Sequence, residues 1–216
     1  MALRSFIVEQ FRKPSGLLGA LAGWIMARRG SNVERNRWTV SLLDIRQGDR
    51  VLELGFGPGL GVALAAEMVG PTGRVVGIDH SPVMLAQAER RNRALIEEGR
   101  VALRLCSLDQ IGQLPGPFDK VFSSNVLQFE TDKAAVVRSI LQMMRPGSKM
   151  ATTFQPRMRN ATAADARKFA SNLVGLLKDA GFVGIQTHTL PLPSVPAVCV
   201  IAHAPDDHAN DHALSV

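Results

Sequence analysis

Residues 51–61 read VLELGFGPGLG, an apolar run that passes directly into Gly55, Gly57 and Gly59 and then into a helix-forming stretch. Glycines packed this closely at the end of a strand let the backbone take positive φ and let a ligand come close to the peptide groups, at the N-terminus of the helix that follows. A strand that ends in such a turn and continues as a helix is the first half of a βαβ unit, and parallel strands joined by helices are the fold this segment demands.

The rest of the chain agrees. After the strand RVLELGF come a helix from about Leu60 to Met68, the strand GRVVGID, a helix from Pro82 to Glu98, and the strand RVALRLC. A short irregular stretch leads to FDKVFSS, a helix from Asp132 to Met144, the Pro146-Gly147 break and the strand SKMATTF. Runs such as VLELGF and KVFSS are apolar with little alternation, as strands covered on both faces are. A helix from Ala163 to Ala180, closed by Gly181, precedes FVGIQTHTL and AVCVIAHA, which read as a terminal antiparallel hairpin. At 216 residues and 46% apolar, the chain has the size of one α/β domain with a sizeable core.

The spacing of the turn separates two kinds of nucleotide-like ligand. A dinucleotide fingerprint, G-x-G-x-x-G, would need glycine where Leu60 stands, whereas the chain reads E-x-G-x-G-x-G from Glu53. Asp79 closes the next strand twenty residues after Gly59, and a carboxylate there offers two oxygens to the two hydroxyls of a ribose. These residues resemble motif I and the ribose-binding acid of class I S-adenosylmethionine-dependent methyltransferases of the small-molecule, UbiE-like type, and the likeness extends over residues 35–204.

The resemblance implies a Rossmann-like, doubly wound sheet of seven strands in the order 3-2-1-4-5-7-6, with an antiparallel last strand and helices on both faces. It implies S-adenosylmethionine as cofactor and S-adenosylhomocysteine as product. It also implies cofactor contacts from Glu53, Gly55, Phe56, Gly57, Gly59 and Asp79, with His80 and Met84 at the adenine. At the third strand the family's usual acid is replaced by Ser107, so Ser107 and Leu108 are expected to meet the adenine, with Asp109 as the alternative. After FDKVFSS, which resembles the family's motif IV, Asn125 is expected at the cofactor and Gln128 toward the acceptor; Asp119, at the start of that strand, reads as structural. No catalytic triad is visible, and His80, Gln128 and Glu130 are the candidates for a general base by placement alone.

Charge is uneven. Residues 1–50 hold nine Lys/Arg against four Asp/Glu, although the whole chain is only +6. The basic residues are scattered among apolar ones without a ladder of aromatics, so a small or amphiphilic acceptor is expected rather than nucleic acid. Residues 11–29 combine an apolar stripe with basic ends and leave three readings open: a lid over the site, a helix at a membrane surface serving a lipid or quinone acceptor, or a packing helix. Arg28 and Arg29 stand where a signal-peptide cleavage site would be small and neutral, and the stretch is shorter than the ~20 apolar residues of a membrane span.

The expected organisation is a helical lid or substrate-side segment over 1–48, a cofactor-binding core over 49–204 and a flexible tail over 205–216, in a cytoplasmic protein with a membrane-peripheral alternative. Cys106 and Cys199 have no metal or redox spacing and read as two buried thiols. His208 and His212 in the tail lack a third ligand, so no metal is expected. The missing acid at Ser107 keeps a second class of reading open, a cofactor-binding protein without transferase activity.

Overall fold

A computed structural model describes residues 30–207, and the apolar stretch over 11–29 and the tail histidines lie outside the described residues. Seven strands form one sheet in the order β3-β2-β1-β4-β5-β7-β6. They are β1 (Arg50–Leu54), β2 (Arg74–Asp79), β3 (Val101–Leu105), β4 (Phe118–Ser124), β5 (Met144–Phe154), β6 (Val183–Leu190) and β7 (Ala197–His203). The first five run parallel; β7 lies antiparallel to both β5 and β6. This is the doubly wound order that the family resemblance implied.

The helices, in chain order, are α1 (Gly30–Ser41), α2 (Leu60–Val69), α3 (Pro82–Arg91), α4 (Arg93–Glu97), α5 (Lys133–Gln142) and α6 (Ala163–Ala180). Successive strand residues point to opposite faces, so each strand feeds two cores. Val51, Val75, Phe122 and Ala151 pack with Val40 of α1, Val62 and Val69 of α2 and Ala88 of α3 on one face. Leu52, Val76, Val121 and Met150 pack with Ile140 of α5 and Leu173 and Leu177 of α6 on the other.

Local chemistry sets most boundaries. Ser81 accepts the Met84 N–H at 3.4 Å with Pro82 behind it, and Asp132 accepts the Ala135 N–H at 2.8 Å, which starts α3 and α5. Asp165 reaches back to the Thr162 N–H at 2.8 Å to start α6, and Gly181, at φ +96°, ends it.

Two boundaries differ from the sequence reading. The helix expected from Pro82 to Glu98 breaks at Asn92, whose buried amide turns inward to donate to the carbonyls of Ala88 at 2.8 Å and Gly59 at 3.1 Å. The strand expected to begin at Ser148 begins at Met144, because the Pro146-Gly147 kink is absorbed as an irregularity in the pairing with β4. Cys199 is buried as expected, with burial pushing its thiol up to about 12, but Cys106 is only half-buried.

Packing leaves no room for a side chain at Gly77 in β2. A Cβ there would stand 2.9 Å from Phe56 Cδ1 and 3.0 Å from both Leu103 Cδ2 and Val62 Cγ2. Gly77→Ala is therefore expected to cost about 1–3 kcal/mol of overpacking, read as a lowered urea midpoint; a variant as stable as the parent would contradict this packing.

Candidate functional site

The carboxyl ends of β3, β2, β1, β4 and β5 share one edge of the sheet. The chain winds outward in one direction from β1 to β3 and in the other from β4 to β5, so a crevice opens between β1 and β4, where α/β sheets bind ligands. The turn after β1 lies in this crevice. It is held to β2 by the N–H groups of Gly55 and Phe56, which both donate to the carbonyl of Ile78, at 2.8 and 3.1 Å.

The glycines of the turn do different things. A Cβ on Gly55 would stand 2.4 Å from Val126 Cγ2 after β4, and one on Gly59 would stand 2.7 Å from Ala88 Cβ of α3, so both are required by close packing. Gly57, at φ +51°, has nothing within 4 Å of its missing Cβ, and its N–H donates to Asp79 Oδ2 at 2.9 Å. It is the residue whose backbone faces open space. From the far side, Arg91 Nε donates to the Pro58 carbonyl at 2.9 Å and Asn92 to that of Gly59, which clamps the turn onto α3.

Two acids lie beneath the turn. Asp79 is buried and accepts three backbone N–H groups, from Gly57 to Oδ2 at 2.9 Å, from Ser81 to Oδ1 at 2.9 Å, and from His80. A carboxylate offers about four acceptor positions, so with three amides bound it retains acceptor capacity. Burial raises the Asp79 carboxyl above its usual value; the Ser81 and Gly57 amides and nearby His80, 3.7 Å away, oppose that. Glu53 is 2% exposed, receives the Val62 N–H, and keeps Oε2 without a hydrogen-bond partner. Burial first, and then the charge of Asp79, push its carboxyl well above the usual range. Gly61 continues the two-residue glycine spacing for this reason: a Cβ there would stand 2.2 Å from Glu53 Oε1.

The other expected residues are distributed as follows. His80 is exposed at the end of β2. Phe56, Met84 and Leu108 turn their side chains into the cores, which leaves the crevice their backbone groups. Ser107 precedes a 3-10 turn over Leu108–Gln113, and its hydroxyl donates to Gln110 at 3.2 Å; Asp109 is exposed on that turn. Asn125 bridges two strands with its side-chain amide. At φ +59°, it donates through Nδ2 to the Gln155 carbonyl at 3.0 Å and accepts the Gln155 N–H at 2.7 Å, so both ends of its amide tie β4 to β5. Gln128 is half-buried with an unpartnered Oε1, and Glu130 follows the same 3-10 turn, Leu127–Phe129. As the sequence suggested, Asp119 is structural, accepting the Arg50 N–H at 2.8 Å and pairing with Arg145.

A polar cluster at the ends of β4 and β5 was not anticipated. Arg35 of α1 is 4% exposed and donates through Nε to Ser124 at 2.8 Å, through Nη1 to Gln155 Oε1 at 2.9 Å and through Nη2 to Asn32. Thr39, one turn along, shares a hydrogen bond of 2.7 Å with Thr153. The sequence offered little signal here, since α1 buries Arg35, Asn36 and Thr39 rather than an apolar stripe.

Comparison with known proteins places these features among methyltransferases. A family model described as a methyltransferase domain matches residues 45–179. The uncharacterized methyltransferase YdaC of Bacillus subtilis is 33% identical over 186 residues, covering 86% of this chain and 98% of that protein. The ubiquinone/menaquinone biosynthesis C-methyltransferase UbiE of Klebsiella pneumoniae is 25% identical, covering 71% of this chain and 74% of that one. A SAM-dependent methyltransferase from Aquifex aeolicus shares the fold with a TM-score of 0.67 at 16% identity, covering 84% of this chain and 98% of that one.

The raised Glu53 carboxyl has a measurable consequence. A carboxyl whose folded pKa exceeds its unfolded value stabilises the fold most when protonated, at acid pH, and loses that contribution as pH rises through the folded value. Glutamine has no such dependence, so the Tm of Glu53→Gln relative to the parent should rise between about pH 5 and pH 8. A constant difference across that range would mean that Glu53 is not perturbed.

Proposed function

This chain belongs to the methyltransferase-domain family, and on that premise we propose that it binds S-adenosylmethionine across the β1–β4 crevice and methylates a small or amphiphilic acceptor. The observation that carries the donor assignment is the pairing of Gly57 with Asp79. One supplies backbone beside open space; the other is a buried carboxylate that retains acceptor capacity beyond the backbone amides it receives. The residues fit this cofactor on a second count. Glu53 Oε2 is a buried acceptor without a partner, and the donor brings a cationic sulfonium and an ammonium group.

In this reading Asp79 takes the ribose hydroxyls, and the backbone of Gly55, Phe56, Gly57 and Gly59 lies along the methionine part, with Glu53 beneath. His80 and the main chain at Met84, Ser107 and Leu108 border the adenine. Asn125 acts indirectly by fixing the ends of β4 and β5. The donor supplies a methyl carbon whose bond to sulfur breaks toward sulfur as a lone pair of the acceptor bonds to it. The protein's part is alignment and exclusion of water. The clamps from Arg91 and Asn92 hold the turn rigid for that purpose. Gln128, with its unpartnered oxygen, is placed to orient an acceptor that carries a hydrogen-bond donor.

The acceptor side favours an apolar body. Phe129 and Met158, which follow the ends of β4 and β5, are 41% and 66% exposed, and exposed large apolar residues beside a crevice suit an amphiphile. None of the described helices is long and apolar enough to cross a membrane.

Isothermal titration with S-adenosylmethionine and S-adenosylhomocysteine tests the donor assignment. Asp79→Ala is expected to weaken both by roughly 10- to 150-fold, since hydrogen bonds to a charged group contribute about 1.5–3 kcal/mol. Absence of binding to the parent protein would end the methyltransferase reading. Incubating the protein with methyl-labelled donor and metabolite or lipid extracts tests the acceptor class, and label entering chiefly RNA or DNA would refute it.

A further inference from the structure

The charged groups around the crevice are sorted by sign. Glu53 and Asp79, both buried, lie beneath the turn at the ends of β1 and β2. Arg35 lies on the other side, bonded to Ser124 at the end of β4 and to Gln155 just past the end of β5. Its partners among the described residues are a hydroxyl and two amides, all neutral, so a guanidinium that is 4% exposed has no carboxylate to balance it. An uncompensated buried charge is costly.

We propose that the methyl acceptor is an anion, and that Arg35, with Arg157 beside it, receives the acceptor's negative charge at the carboxyl edge of β4 and β5. This rests on the methyltransferase reading and extends it to the acceptor. The Arg35 side chain is preorganised: three of its nitrogens are fixed, α1 is locked to β5 by the Thr39–Thr153 bond, and Gln155 is itself held by Asn125 and by the Val195 carbonyl. One N–H on each of Nη1 and Nη2 is left over, and two N–H groups of one guanidinium form the fork that grips a carboxylate or phosphate. Arg157 reaches the same helix, donating to Ser31 Oγ at 3.4 Å. Burial and the charge of Arg157 lower Arg35 to about 9, a repulsion that a bound anion relieves.

The donor's positive charge belongs with the acids under β1 and β2, whereas the guanidinium bridges the ends of β4 and β5 on the other side of the crevice. Met158 directly follows Arg157 and is exposed, which places apolar surface next to the cationic one. The anchor is thus read as the head of an amphiphilic anion.

The test uses the full chain saturated with S-adenosylhomocysteine and titrated calorimetrically with octanoate, octyl phosphate and octanol. The anions are expected to bind roughly 10-fold or more tightly than the alcohol. Arg35→Gln should abolish that preference, and Arg157→Ala, at an exposed position that leaves the fold intact, should reduce it. Affinity for S-adenosylhomocysteine should change little in either variant. Equal affinity for octanol and the anions, or an unchanged preference in both variants, overturns the proposal. So does a loss of S-adenosylhomocysteine binding in Arg35→Gln with binding of methylthioadenosine intact, which would assign the guanidinium to the donor's carboxylate. If the parent protein fails to bind S-adenosylhomocysteine at all, the methyltransferase reading falls, and this proposal falls with it.

Discussion

The bond from the Gly57 N–H to Asp79 Oδ2 joins the turn after β1 to the end of β2, and the site depends on it. Without that acceptor, the Gly57 N–H would lose its partner and the turn would lose its tie to the end of β2. With it, the turn is fixed at the one glycine that faces open space. The other oxygen of Asp79 holds Ser81, so the same carboxylate also sets the entry into α3. From α3, Arg91 and Asn92 close the loop back onto Pro58 and Gly59. One acid thus coordinates two strand ends and a helix start.

The crevice gathers ionisable groups that burial perturbs. Burial raises both carboxyls under the turn, the charge of Asp79 raises Glu53 further, and the Arg35 guanidinium has no carboxylate partner among the described residues. Such perturbed groups cluster where binding or chemistry takes place. They persist because the scaffold around them is over-determined: glycines at 55, 59 and 61 admit neighbours that any side chain would exclude, and the Asn125–Gln155 pair welds β4 to β5. Rigidity and stored electrostatic cost are the two sides of preorganisation.

Much of the fold was legible because apolar periodicity and punctuation agreed. Val51 to Leu54, Val75 to Asp79 and Val121 to Phe122 read as buried parallel strands, and Gly181 marked the end of α6. The reading failed where a tertiary contact outweighed a local preference. Nothing in the run from Pro82 to Glu98 announces a break, because Asn92 stops α3 by bonding a carbonyl thirty-three residues away. Pro146-Gly147 looked like a strand boundary, yet Phe118 of the neighbouring β4 pairs with Met144 ahead of an irregularity, which carries β5 back past the break. Asn125 was placed correctly at the end of β4, but which backbone its amide would serve depended on how β5 lay beside it.

The amino-acid sequence by itself determined the class of fold and pointed to Glu53, the glycines and Asp79, which are close in the chain and which the fold brings together at the ends of β1 and β2. Only the tertiary structure decided the polar cluster at the ends of β4 and β5. Arg35, Ser124 and Gln155 are separated by as many as 120 residues and share no periodicity. A polar helix face gives no hydrophobic signal, so its burial becomes visible only when α1 is laid across the ends of β4 and β5.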